Sequence, residues 1–93
     1  MAPIDIDWLL DFLTGEWENI PHVLARWDTL EEEERREYLL DWPMKEEYEA
    51  LLYDVVATTQ LTEGQHYRYQ RLLRVMESSR PAIVEILMRG PSH

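Results

Sequence analysis

Residues 43–58 read PMKEEYEALLYDVVAT, and their spacing decides the fold class. At about 100° per residue, Met44, Tyr48, Leu51, Leu52, Val55 and Val56 share one arc of about 140°. Glu46, Glu49 and Tyr53 lie opposite. No polar–apolar alternation at period two runs through any window of the chain, and strong helix formers dominate it. The chain reads as all-α.

The flanking segments repeat this pattern in shorter pieces. Pro43 disfavours helical geometry at Trp42, so the residues before it read as a separate helix, 29–41, opened by the capping-box pattern Thr29-Leu30-Glu31-Glu32. Further upstream, Ile20, Val23, Leu24 and Trp27 keep the i, i+3, i+4, i+7 spacing over 21–27, with Pro21 suited to a first turn. Trp8, Leu9, Phe12 and Leu13 form the apolar side of a first helix, 7–13, capped by Asp5 or Asp7 and ended by Gly15.

Downstream, Thr62 and Gln65 make a second capping box with Leu61 as its staple. It opens a helix over 62–78 with Tyr69, Leu72, Leu73 and Met76 inward. Ser79 caps a last helix, 81–89, and Gly90 stands just past its end. The expectation is one domain, 1–93: a compact bundle of about six short helices that cross steeply and orthogonally, because helices this short do not make a long parallel bundle. The tail Pro91-Ser92-His93 is expected to fray.

Composition narrows the function classes. Four Trp and five Tyr in 93 residues speak against intrinsic disorder. The absence of Cys removes disulfides, thiolate metal sites and Cys nucleophiles, and fits a reducing compartment. Met1-Ala2-Pro3-Ile4-Asp5 has no basic n-region, and no apolar run approaches the roughly 20 residues of a membrane helix. A cytoplasmic protein with no membrane contact is expected.

Charge is unevenly spread. Residues 1–63 carry 17 acidic and 4 basic side chains, a balance of −13; residues 64–93 carry 2 and 5, a balance of +3. The run Glu31-Glu32-Glu33-Glu34 fills a first helical turn, where carboxylates meet the positive end of the macrodipole, and Glu31–Arg35 and Glu32–Arg36 are favourable i, i+4 pairs. It reads as a solvated helix start before it reads as a cation site.

Motifs for chemistry are few. Glu63-Gly64-Gln65-His66 has the Glu-x-x-His spacing of di-iron carboxylate bundles, but those need two copies and two further Glu. His66 reads instead as a partly buried ring beside Tyr69 and Leu73, and His22 as an exposed neighbour of Arg26. No His is paired with a Ser in a nucleophilic arrangement, and there is no phosphate-binding glycine loop. No enzyme, metal or cofactor is expected.

Interaction signals are stronger. The helix at 66–74 interleaves base and aromatic, with Arg68, Arg71 and Arg74 on the side away from Leu73. Such a stripe can grip phosphates, but a net charge of −10 opposes a polyanion within a Debye length of about 8 Å. The stripe is better matched to the acidic helices of its own fold or of a neighbour. The last helix has an apolar arc of about 200° from Ile86 through Ile83, Leu87 and Val84 to Met88, and Trp17 and Trp42 are candidates for exposed rings.

The leading expectation is a non-enzymatic helical interaction or adaptor module. It is expected to form a homodimer through Ile83, Val84, Ile86, Leu87 and Met88 with Tyr69 and Met76 nearby, oriented by Arg68, Arg71 and Arg74. Two alternatives stand beside it: an acidic inhibitor that mimics nucleic acid in a basic groove, and direct nucleic-acid binding through the helix at 66–74.

Overall fold

The computed structural model describes residues 5–91. Over these it holds three helices and no strand: α1, Ile6–Arg26; α2, Glu32–Thr58; and α3, Glu63–Arg89. A single 3₁₀ turn, Trp27–Thr29, joins the first two. The expected six helices are thus three, fused pairwise across Pro21, Pro43 and Pro81, each of which lies inside a helix. Gly15, the expected end of the first helix, sits in the middle of α1. The expected fraying of Ser92 and His93 lies outside the described residues.

The reason for the fusion is continuity of the buried stripe. In α1 and the 3₁₀ turn that follows it, Leu10, Leu13, Trp17, Ile20, Val23 and Trp27 are all buried and follow one another at steps of three or four residues. The stripe passes Gly15 and Pro21 without a change of phase. In α2 it runs through Tyr38, Trp42, Lys45, Tyr48, Leu52 and Val55, and in α3 through Tyr69, Leu72, Met76, Ser79, Ile83 and Ile86. The three prolines are exposed. Each proline removes one N–H donor from the ladder on the outer side of its helix. Tertiary burial along a whole stripe outweighs about 3 kcal/mol per proline.

Helix ends follow local chemistry. Asp5 caps α1, its side chain accepting from the Trp8 N–H at 3.0 Å. Thr62 and Gln65 form the expected capping box of α3: the Gln65 N–H donates to Thr62 Oγ1 at 3.1 Å and the Thr62 N–H to Gln65 Oε1 at 3.0 Å. The start of α2 falls later than its expected Thr29 cap. Thr29 belongs to the 3₁₀ turn and donates its hydroxyl to the Arg26 carbonyl at 2.7 Å, while Glu31 is the cap and its N–H donates to Glu34 Oε1 at 3.2 Å. Gly90 closes α3 at φ +71, where a side chain would be strained.

The helices run side by side, in place of the steep, orthogonal crossings expected of short ones. Arg68, near the start of α3, pairs with Asp7 at the start of α1; Arg89, at the end of α3, pairs with Asp28 just past the end of α1. α1 and α3 are therefore parallel. α2 runs the other way: Tyr48 meets Trp8 and Phe12, Trp42 meets Trp17, and Tyr38 meets Trp27, at ring-centroid separations of 5.3–5.9 Å. Large rings fill the α1–α2 seam and hold those two helices further apart than α1 and α3. The described backbone spans 45 × 29 × 16 Å.

One charge lies inside. Lys45, the chain's sole lysine, is 7% exposed. Its ammonium is 3.1 Å from Glu16 Oε2 and 4.3 Å from the centre of the Tyr38 ring, with Trp42 at 5.4 Å. A carboxylate and two π-faces replace the water it gave up.

Candidate functional site

All ten residues that the sequence marks for partner binding lie on α3, and the fold divides them among three surroundings. Met76, Ile83 and Ile86 are buried in the chain's own core, with Tyr69 partly buried against it. Val84 and Leu87 remain about half exposed, at 46% and 48%, and Met88 is 80% exposed. Adjacent residues such as Ile86 and Leu87 point about 100° apart, so a helix that closes the core on one side keeps an apolar edge on the other.

The arginine stripe is engaged by α1. Arg68 donates to Asp7 Oδ1 at 2.6 Å, to the Asp7 carbonyl at 3.1 Å, and to Asp11. The hydrogen bond that Arg68 donates to Asp11 leads the causes that hold its guanidinium protonated beyond its ordinary range. Arg71 pairs with Glu18 at 2.9 Å. These pairs are largely solvated and each contributes about 0–1 kcal/mol; their main effect is to set the register of α3 on α1. Arg74 is exposed beside Pro21 and Ser78 in a shallow depression, and makes no ion pair among the described residues.

One concavity lies between α2 and α3, over α1. It is a groove of ≈ 380 Å³. Trp17 and Trp42 form its base, edge to face at 5.5 Å and 72°. Neither is the exposed ring expected of it: both are buried, because both fall on the continuous inner stripes of α1 and α2. Glu46, Glu49, Ala50 and Tyr53 supply the α2 wall, and Arg80, Ile83, Val84 and Leu87 the α3 wall. The Arg80 guanidinium stands 6.0 Å from the Trp17 ring.

Tyr53 Oη donates to Glu49 Oε1 at 2.9 Å. Partial burial, that hydrogen bond and the Glu49 charge push the phenol up to about 12. It stays a neutral donor on the groove's edge at any physiological pH. The α2 wall was not foreseen from sequence, although Tyr53 and Glu49 were placed together on the face opposite the apolar arc.

Glu63 and His66 sit in the first turn of α3, both exposed; His66 is not the partly buried ring expected. Among the described residues, no three His, Asp or Glu side chains gather into a group able to hold a metal ion. No helix among them is long and apolar enough to cross a membrane. Comparison with protein-family models, with curated proteins and with solved structures gives no match.

Proposed function

We propose that this chain is a non-enzymatic protein-docking module whose partner sits in the groove between α2 and α3. The supporting observation is the apolar edge of α3. Val84 and Leu87 stay half exposed beside a base of two tryptophans, although Ile83 and Ile86 on the same helix already close the core. An apolar, aromatic-lined trough of this kind suits burial against another protein surface. Homodimerisation through α3 is the form of this reading in which the partner is a second copy.

The test is a pair of substitutions on neighbouring residues. Leu87→Asp is expected to leave the helical circular-dichroism signal intact and to remove the proteins that the wild-type chain retains by cross-linking. Ile86→Asp, at a fully buried position, is expected to unfold the chain. Retention unchanged by Leu87→Asp and by Val84→Asp would count against the groove. Light scattering on the wild type separates a twin from a different partner.

The mimicry reading has its own support. From Glu31 to Asp54, α2 carries ten carboxylates over about 35 Å of helix, or one per about 3.5 Å. A single nucleic-acid strand carries one charge per about 3.4 Å. These carboxylates are distributed around the helix; a partner captured through them should be displaced by excess duplex DNA, and capture indifferent to DNA counts against mimicry.

A further inference from the structure

We infer that the groove between α2 and α3 receives an amphipathic helix that carries Lys or Arg beside its apolar anchors. The inference rests on the docking reading above and adds the chemistry of the occupant.

Length and lining specify a helix. The α2 wall runs from Trp42 to Tyr53, about 16 Å along the axis, or three helical turns. Apolar side chains at i, i+4, i+7 and i+11 of a docked helix would cover that distance, with the tryptophan base and the Val84–Leu87 edge as their contacts.

Charge specifies the flanks. The carboxylates of α1 are answered inside the fold: Asp7 and Asp11 by Arg68, Glu18 by Arg71, Glu16 by Lys45. On α2 only Glu32, paired with Arg36, is answered among the described residues. Of the two carboxylates on the groove wall, Glu46 forms no ion pair among the described residues, and there Glu49 accepts only from the neutral Tyr53. The unmatched negative charge therefore borders the groove on the α2 side. Among the described residues of the lining Arg80 is the one cation; it stands over the Trp17 ring, and its charge also reaches Tyr53. A second copy would bring its own acidic α2 and a net charge of −10 to this rim, whereas a basic helix arrives with the complementary field.

The experiment uses the full chain and two fluorescein-labelled peptides of about 16 residues. Both carry Leu at i, i+4, i+7 and i+11; one has Lys and the other Glu at the flanking positions. Fluorescence anisotropy gives affinity, and amide chemical shifts locate the contact. The expected result is binding of the Lys peptide at least about ten-fold tighter than the Glu peptide, with shifts at Tyr53, Val84 and Leu87. Leu87→Asp should weaken it by about ten-fold or more, and Glu46→Gln with Glu49→Gln should shrink the preference for Lys several-fold. Val84→Ser serves if Leu87→Asp disturbs the fold.

Equal binding of the two peptides in the groove overturns the basic occupant and leaves the docking reading standing. So does a wild-type dimer that Leu87→Asp dissociates, which makes the occupant a second copy. Shifts confined to the outer face of α2 around Leu40, or no binding of either peptide by a monomeric chain, overturn both.

Discussion

Arg35 Nε donates to the carbonyl oxygen of Pro91 at 2.8 Å, tying the first turns of α2 to the residue that follows the Gly90 cap of α3. The same guanidinium donates through Nη1 to the carbonyls of Leu30 at 2.9 Å and Trp27 at 3.2 Å. Three chain segments that share no helix thus meet on one side chain. Trp27 adds a second tie, its indole N–H reaching the Gly90 carbonyl at 3.3 Å. The i, i+4 pairing of Arg35 with Glu31 expected from sequence is replaced by these carbonyls, while Arg36 keeps its pairing with Glu32 at 2.8 Å.

Arg35→Lys is therefore expected to be costly despite conserving charge. A single ammonium cannot span both the Pro91 and the Leu30–Trp27 carbonyls as a planar fork does. Loss of about 2 kcal/mol is expected in denaturant unfolding, with faster amide exchange at Gly90. Unchanged exchange there would show that the clamp does not hold the end of α3.

The Glu16–Lys45 pair predicts an asymmetry. Glu16→Gln leaves the buried ammonium without its counter-charge and is expected to cost about 1–3 kcal/mol, below the full penalty of a buried pair because Glu16 is partly solvated. Lys45→Met fills the same space without charge against Tyr38 and Trp42 and should cost less, under about 1.5 kcal/mol. Denaturant midpoints of the two variants decide it; the reverse order would mean that the cation–π contacts outweigh the carboxylate.

Burial, then the neighbouring Glu16 charge, pushes the Tyr38 phenol from 10.0 up to about 12, and Tyr53 is pushed to about 12 as well. A folded-state value above the unfolded one means that the native chain keeps its protons longer. The stabilisation is fully present below pH 10 and is lost as pH rises towards 12. The denaturant midpoint should fall across that window, and less steeply in the double variant Tyr38→Phe, Tyr53→Phe. An equal slope in both chains would remove these tyrosines as its source.

Pro43 is exposed inside α2. Pro43→Ala restores an N–H donor to the Leu39 carbonyl, and should stabilise the chain by about 1–3 kcal/mol in denaturant unfolding. A loss of stability instead would show that the aromatic seam with α1 depends on a bend at this proline.

Much of this protein was legible in its sequence. Helical class, the Thr62–Gln65 box, the Gly90 stop and the inward Leu72 and Met76 each rest on a few neighbouring residues, and local hydrogen bonding and 3.6-residue periodicity are enough to establish them. The number of helices was not legible from local rules, because Gly15, Pro21, Pro43 and Pro81 each argue for a break within their own window. Only the three-dimensional packing sums burial along an entire stripe and outweighs them. The fate of surface groups was undetermined for the same reason. Which carboxylates Arg68 and Arg71 meet, why Lys45 is enclosed, and why Ile86 is core while Leu87 borders a groove all depend on contacts between residues far apart in the chain. The sequence alone determined what each segment tends to be; the tertiary structure decided which tendencies prevail, because buried area is shared between helices and belongs to no single one.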